Sequence, residues 1–257
     1  MKYRIDSKAY FAREEENGTM SLIVNATNRI LFLNRTGRRL LTRCDEWVDL
    51  AEFVNGLHIS GAPFETVCRD FEKLLYELES YGLAELADRP EETYTGCRVA
   101  DCRDGKLVSD FLLANADRGF SCAISVNPAY NALAGVYARI QNGSEQYLIS
   151  ERDGQVLALV AMARPNRVIG VSAAVINSAV FLEGMLREAC KEQLQTLLAY
   201  GETVYAGECG KLRYVYMNER QNGLRETLQT LGFTQSALLK NEVYGGRDMI
   251  LYDRFIG

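Results

Sequence analysis

The sequence predicts an α+β or α/β protein of two domains, on three observations. Its 257 residues exceed the length at which one hydrophobic core is usual. The segment Asp88–Gly96 (DRPEETYTG) combines a proline, adjacent acids and a glycine without hydrophobic periodicity, as linkers do. Strand-like runs precede helical ones before this segment, whereas helices and sheet runs alternate after it. We therefore expect domains at 1–88 and 97–257, joined by a linker at 89–96.

The composition excludes several classes of partner. Apolar residues make up 47% of the chain, yet the longest apolar runs, such as Val156–Ala163, are too short to cross a bilayer. The net charge of −5 argues against nucleic acid as the main partner, because phosphate binding needs a surplus of Lys and Arg. The first residues lack the apolar core of a signal peptide. We expect a cytoplasmic protein that binds neither membrane nor nucleic acid.

The cysteines and the single histidine argue against metal chemistry. None of the seven cysteines has a CxxC partner, and His58 is the only histidine, so we expect no metal site. The cysteines are interpreted as free thiols in a reducing cytosol. His58 lies in a connector between Gly56 and Gly61 rather than on a periodic face, which argues against histidine-based catalysis.

The N-terminal domain is predicted to begin with three strands. They are expected at Ala9–Glu14, Ser21–Ala26 and Arg29–Asn34. The last two flank Thr27-Asn28, and asparagine tolerates the positive φ of a hairpin turn. An exposed edge of such a sheet leaves unpaired N–H and C=O groups, to which an extended peptide can add as a further strand.

Three helices are predicted to follow. Thr36 is expected to cap a helix that begins at Gly37, and Asp45 or Glu46 to open a second one. The run from Pro63 to Gly82 carries apolar residues at helical spacing, with proline at its start and glycine at its end. Three strands followed by three helices in so short a domain form a winged-helix-like arrangement.

Two segments of this domain resemble the PqqD-like RiPP recognition elements, which hold the leader of a ribosomal precursor peptide. They are Asn28–Leu41 (NRILFLNRTGRRLL) and Leu74–Leu86 (LLYELESYGLAEL), and they match in their apolar positions. The resemblance implies that a leader peptide lies between the third strand and the last helix. The residues it assigns to peptide binding are Arg29, Leu31, Leu33, Arg69, Lys73 and Tyr76.

Five arginines cluster in the same region and would suit an acidic leader. They are Arg29, Arg35, Arg38, Arg39 and Arg43. The alternative is that they form a solvated face that binds nothing.

The C-terminal domain is predicted to be a central mixed sheet flanked by helices. Strands are expected at Cys97–Arg103, Phe120–Val126, Gln146–Glu151, Gln155–Met162, Val168–Ile176 and Thr203–Glu208, followed by two terminal strands. Helices are expected at Lys106–Asp117, Asn127–Gln141, Val180–Tyr200 and Gln221–Leu231.

This order, with two terminal motifs, is similar to the GNAT family of acyl-CoA-dependent N-acyltransferases. In Asn222–Phe233 (NGLRETLQTLGF) a helix ends at a Gly-Phe pair, as it does in the family. In Tyr244–Ile256 (YGGRDMILYDRFI), Asp248 and Tyr252 match the family's closing strand. The final hairpin alone is also similar to the β-lysine acetyltransferase branch.

The GNAT resemblance implies acetyl-CoA or a longer acyl-CoA as co-substrate. Its pantetheine would pair with a splayed strand at Ala173, Val175 and Asn177, and its diphosphate would sit at the start of the next helix, capped by Asn177 or Ser178. The family's basic, glycine-rich loop should fall at Asn177–Gly184, but the chain reads NSAVFLEG and keeps only Gly184. This departure favours a degenerate cofactor site as an alternative.

The catalytic residues implied by the resemblance are also partly replaced. Many GNAT enzymes place a tyrosine acid five residues before the Phe of Gly-Phe, where this chain has Leu228. Tyr216, or its neighbours Tyr205 and Tyr214, could act instead, although strand tyrosines are usually packing residues. We expect Glu208, at the end of a predicted strand, to be the general base for an attacking amine.

Three functions remain open from the sequence. The first is an N-acyltransferase that modifies an amine of a leader-bound precursor peptide. The second is a non-catalytic, peptide-binding scaffold with a degenerate GNAT domain. The third is a small-amine acetyltransferase of the β-lysine type, whose first domain would serve to form a homodimer.

Overall fold

The computed structural model divides the chain into two compact units, Met1–Glu92 and Thr93–Gly257. The residues it describes are 1–57, 61–88, 93–116, 119–121, 127–165, 172–216, 224–243 and 246–256, with the backbone alone at 119–121, 216, 224 and 243. His58 and the first half of the predicted linker lie outside them. Residues 93–96 belong to the second unit, where the Gly154 N–H donates to the Tyr94 carbonyl at 3.1 Å.

In its described residues, the N-terminal unit contains two antiparallel sheets of three strands and two α-helices. The strands are β1 (Lys2–Ile5), β2 (Tyr10–Glu14), β3 (Met20–Val24), β4 (Ile30–Leu33), β5 (Val48–Asp49) and β6 (Ala84–Ala87). The helices are α1 (Leu50–Gly56) and α2 (Phe64–Ser80). The sheet orders are β5-β1-β6 and β2-β3-β4. The three predicted strands are β2, β3 and β4, and Asn28 has the expected positive φ, 54°.

The sequence interpretation missed one sheet, one helix cap and one helix start. β1, β5 and β6 form their sheet by pairing between distant parts of the chain, which a local pattern does not show. Gly37–Arg43 is a 3-10 helix, and Asn34 rather than Thr36 accepts the Gly37 N–H, at 2.7 Å. The next helix does not begin at Asp45, which has a φ of 65°. It begins after Asp49, whose carboxylate accepts hydrogen bonds from the N–H groups of Ala51 and Glu52 in the first turn of α1.

The core of this unit lies between β1, β3 and the two helices. Tyr3, Leu22 and Leu75 are fully buried in it. The ring of Phe53 meets Tyr3 and Phe71 edge-on, with centroids 5.8 and 5.6 Å away. Apolar packing therefore joins the predicted long helix to a strand that the sequence pattern did not reveal.

The C-terminal unit is built on a mixed sheet in the order β13-β14-β12-β11-β10-β9-β7, and β8 pairs with β11 outside this path. The strands are β7 (Gly96–Val99), β8 (Gly119–Ser121), β9 (Glu145–Arg152), β10 (Gln155–Ala163), β11 (Ala173–Phe181), β12 (Lys211–Tyr216), β13 (Thr234–Val243) and β14 (Arg247–Phe255). β11 and β12 are parallel, whereas the other pairs are antiparallel.

Helices cover both faces of this sheet. They are α3 (Gly105–Ala114), α4 (Pro128–Asn131), α5 (Leu133–Asn142), α6 (Arg187–Val204) and α7 (Leu224–Thr230). Alternation along β9 directs Tyr147 and Ile149 toward α3 and α5, and Leu148 toward α6. None of the described helices has both the length and the apolar character needed to cross a bilayer.

Two boundaries in this unit correct the sequence prediction. The apolar run Val180–Leu182 was predicted as the start of a helix, but β11 continues to Phe181 and α6 begins only at Arg187. The predicted strand Thr203–Glu208 is wrong, because α6 extends to Val204 and is followed by a turn. A short apolar run does not distinguish a buried strand from a helix.

Candidate functional site

The centre of the C-terminal sheet splays apart along the pair β11 and β12. Their parallel pairing starts at Ala173 opposite Lys211 and ends at Ile176 opposite Tyr214. Beyond this point β11 continues beside β10, and β12 continues beside β14 to Tyr216. The two strands therefore diverge after Ile176.

A β-bulge lies where the strands diverge. Ala161 of β10 is opposite Ser178 and Met162 is opposite Ile176, so Asn177 has no partner residue on β10. A bulge bends its strand and increases the local twist. The bulge at Asn177 thus accounts for the direction in which β11 leaves β12.

A buried polar cluster holds the side chain of the bulged residue. The Asn177 amide donates to the carboxylate of Glu145, which is 2% exposed. The same carboxylate accepts hydrogen bonds from the hydroxyls of Tyr130 and Tyr147 and from Nε of Arg139, the last at 2.7 Å. The Arg139 guanidinium also lies 3.7 Å from the centroid of the Tyr130 ring.

The chemistry of this cluster fits a fixed scaffold. A buried carboxylate is tolerated when a cation and several donors compensate for its lost hydration, as Arg139 and three further groups do for Glu145. Burial raises the pKa of the Tyr147 hydroxyl, and the adjacent Glu145 charge raises it further, so this tyrosine remains a donor. The cluster therefore ties the bulge of β11 to Glu145 of β9 and, through it, to Arg139 of α5.

The other side of the splay is held by an ion-pair cluster. Asp253 of β14 accepts from Nζ of Lys211 and Nε of Arg213, both on β12 and both at 2.7 Å. Burial raises the pKa of Asp253, but these hydrogen bonds outweigh burial and lower it to about 2. β12 is thereby fixed to β14 while β11 diverges from it.

The splayed end of β11 leads directly into the start of α6. The connecting loop contains Gly184, whose φ of 81° favours glycine and whose missing Cβ would meet no atom within 4 Å. Leu186 occupies the N-cap position and makes no side-chain cap bond. The first amides of a helix lack partners within it, and the helix dipole favours an anion there.

A cleft of about 230 Å³ separates this helix start from α7. Its lining combines two cations with two acids and two hydroxyls. These are Arg187, Lys191, Glu188, Glu226, Thr227 and Thr230. The predicted diphosphate loop, Asn177–Gly184, contains no basic residue, but it was placed too early in the chain. The observed helix start lies further along and brings Arg187 and Lys191 to the cleft.

The diverging edge of β11 is covered by β8. Val180, Ala179 and Ser178 are opposite Gly119, Phe120 and Ser121 in antiparallel register. The same three residues of β11 pair with β10 on their other edge. The backbone edge that the GNAT resemblance assigns to pantetheine is therefore occupied by a strand of the same chain.

The predicted cofactor-binding residues are distributed along β11 and its loop. Ala173 and Val175 lie within the ladder to β12, so their backbone lies before the splay, and their part in binding a cofactor stays a prediction. Asn177 is the bulge, and Ser178 pairs on both edges, so neither caps α6. Gly184 lies in the loop that enters the helix.

The predicted base, Glu208, lies at the opposite end of α6 from the splay. Glu208 is exposed in the turn after α6, near Gly210, whose N–H donates to the Ser172 carbonyl beside the start of β11. The 18 residues of α6 span about 27 Å between this turn and the helix start. The role of Glu208 as general base stays a prediction.

Of the three candidate tyrosines, one lies at the splay. Tyr205 is fully buried and donates to the Met162 carbonyl at 3.2 Å, and Tyr214 is 2% exposed in the core. Tyr216 ends β12 opposite Ile250, beyond the last residue that pairs with β11. Its side chain is outside the described part of the chain, so its role as an acid stays a prediction.

The predicted peptide-binding strand, β4, is an edge strand with its side chains divided between two faces. Leu33 is 3% exposed and Leu31 is partly buried against the core, so both side chains lie on the inner face of the sheet, and their part in peptide binding stays a prediction. Arg29 is exposed beside the strand, and its guanidinium lies 5.7 Å from the Tyr81 ring centroid.

Of the three predicted peptide contacts on α2, two are exposed and one is buried. Arg69 and Lys73 are exposed. Tyr76 is 4% exposed, with its hydroxyl 3.4 Å from Glu72, so its ring is buried and its part in peptide binding stays a prediction.

The outer face of the β2-β3-β4 sheet carries apolar residues that the sequence interpretation missed. Phe11, Ile23 and Ile30 are opposite one another across the three strands, and Phe32 follows on the same face. Phe11, Ile30 and Phe32 are 62%, 53% and 71% exposed. The run Ile30–Leu33 is apolar on both faces, so its pattern could not show which side chains point outward.

Comparison with known proteins identifies relatives in structure alone. No protein-family model and no curated protein matches the sequence. A putative acetyltransferase of the GNAT family from Desulfovibrio desulfuricans matches with a TM-score of 0.50 and 14% identity, over 63% of this chain and 98% of that one. A probable acetyltransferase from Staphylococcus epidermidis gives 0.49 and 10%, over 63% and 98%. An acetyltransferase from Salmonella typhimurium that modifies the N-terminal serine of ribosomal protein L7/L12 gives 0.48 and 16%, over 65% and 98%.

At these identities the first match establishes the fold of the C-terminal unit and no more. That unit has a GNAT-like fold, as the sequence resemblance predicted. The match covers the C-terminal part of the chain, so the PqqD-like resemblance of the N-terminal unit stays a prediction.

The Glu145 cluster predicts a large, local loss of stability on neutralisation. Glu145→Gln leaves Arg139 buried without a counter-charge, which should lower the free energy of unfolding of the C-terminal unit by about 3–5 kcal/mol. Urea unfolding followed by far-UV circular dichroism measures this loss. Fluorescence of Trp47, the only tryptophan, reports the N-terminal unit and should not change. The surface variant Glu188→Gln should resemble wild type, and an equally stable Glu145→Gln protein would contradict the assignment.

Proposed function

We propose that the C-terminal unit is an acyl-CoA-dependent N-acyltransferase. The observation that carries the proposal is the coincidence of three features: the divergence of β11 from β12, the bulge at Asn177 and the open start of α6. Together they would receive an extended amide-containing chain on the edge of β11 that β8 now pairs with and, at its end, would present amides and two cations to a diphosphate. The GNAT-like fold supports the same proposal.

The residues at the splay would act mainly by position. Acyl-CoA supplies a thioester, and an acceptor amine attacks its carbonyl, so that a C–N bond forms, the C–S bond breaks and the amine loses a proton to water, from which the general acid regains the proton that it gives to the thiolate. A backbone N–H near Asn177 would polarise the carbonyl. Tyr216 would protonate the departing thiolate. Holding donor and amine together in the right orientation supplies most of the rate.

We propose the N-terminal unit as the peptide-binding module of the same enzyme. β4 is an edge strand to which an extended leader could add through backbone hydrogen bonds, with Arg29, exposed beside the strand, and Arg69, exposed on α2, for acidic side chains. Tethering the leader raises the effective concentration of a peptide amine at the splay.

A non-catalytic scaffold is the second candidate, and the specific observation in its favour is β8. If β8 permanently covers β11, no acyl-CoA can bind and the chain only holds peptides. A small-amine acetyltransferase is the third, and it predicts that acetyl-CoA binds whereas no peptide does.

Coenzyme A binding tests the proposed cofactor site. Isothermal titration should detect binding to wild type, and Arg187→Glu and Lys191→Glu should each weaken it by about tenfold, because each replaces an attraction to diphosphate by repulsion. Lys240→Glu, on the edge strand β13, is the matched control and should bind as wild type does. Absence of heat with the wild-type protein would refute the transferase proposal and favour the scaffold.

Peptide capture is tested separately with labelled synthetic peptides of the short open reading frames that neighbour the gene. Fluorescence anisotropy should detect one that binds. Arg29→Glu and Arg69→Glu should weaken this binding several-fold, by about 1 kcal/mol each, whereas Arg247→Glu in the other unit should not. Equal binding by all three variants would remove the proposed peptide site.

A further inference from the structure

We propose that β8 is a built-in competitor of acyl-CoA, which must leave the edge of β11 before the pantetheine arm can pair there. The inference rests on the proposed function, because it concerns the same edge of the same strand. It adds a regulatory step: the chain itself controls access to its cofactor site.

The competition follows from the two edges that any strand has. Over Ser178–Val180, β10 occupies one edge of β11 and β8 occupies the other. The second edge is the one that faces β12 as far as Ile176. A pantetheine chain that continued the sheet past Ile176 would need the same backbone N–H and C=O groups that β8 now holds, so the two cannot be present together.

β8 is built to be displaced more easily than the other strands of the sheet. Among the residues that the structure describes, it has three residues and pairs with β11 alone, whereas β10 has nine residues and pairs on both sides. Its first residue is Gly119, opposite Val180, and glycine is a poor strand former. Replacing β8 by pantetheine exchanges one set of backbone hydrogen bonds for another, as in strand addition.

The consequence is a reduced apparent affinity for acyl-CoA. Only the fraction of molecules in which β8 has left β11 can bind, and the apparent dissociation constant rises by the inverse of that fraction. Any event that draws β8 away from β11 would therefore activate the enzyme without touching the cofactor.

Hydrogen exchange on the wild-type chain tests the competition directly. With saturating coenzyme A, the amide hydrogens of Gly119–Ser121 should exchange about tenfold faster or more, because β8 is released. Binding of coenzyme A with unchanged exchange of these amides would overturn the inference and leave the proposed function standing. Absence of any binding would overturn both.

A disulfide that locks β8 in place supplies the second measurement. Ser121 and Ser178 are opposite residues of an antiparallel pair, a separation of about 4.5–5.5 Å between Cα atoms that a disulfide can bridge. Ser121→Cys with Ser178→Cys is made together with Cys122→Ser, so that the neighbouring thiol does not compete. The oxidised form should bind coenzyme A about tenfold more weakly than its reduced form, and equal binding would contradict the competition. If the reduced form also fails to bind, hydrogen exchange on wild type decides alone.

Discussion

The hydrogen bond from Asn177 to the buried carboxylate of Glu145 is the contact on which the candidate site depends. It joins the bulge of β11 to β9, and Arg139 compensates the charge that makes such burial costly. On the other side, Lys211 and Arg213 tie β12 to Asp253. β11 is thus held toward β9 and β12 is held to β14, so the sheet opens between β11 and β12.

Local sequence signals predicted much of the fold. Asn28 marks a hairpin turn, Asp153-Gly154 marks another with both residues at positive φ, and Gly82 ends α2 at a φ of 71°. These residues specify their own backbone conformation. β1 escaped prediction because its stability comes from pairing with β5 and β6, which lie far along the chain. The GNAT-like sheet was predicted from the order of elements and two terminal motifs.

The site was less predictable, for two physical reasons. Every residue of Val180–Leu182 is apolar, so no periodic signal marked the end of β11. The helix was therefore predicted to begin too early, and Arg187 and Lys191 fell inside it rather than in its first turns. Glu145, Tyr130 and Asn177 come from three separate elements, and only the folded chain brings them together. The pairing of β8 with β11 is non-local in the same way.

The central claim is that the opening after Ile176 receives the pantetheine arm of acyl-CoA and that α6 receives its diphosphate. A crystal structure of the whole chain with coenzyme A tests it most directly. We expect pantetheine paired with β11 beyond the bulge, diphosphate at the amides of the first turn of α6, and β8 no longer on β11. Coenzyme A bound elsewhere, with β8 still paired to Ser178–Val180, would contradict it.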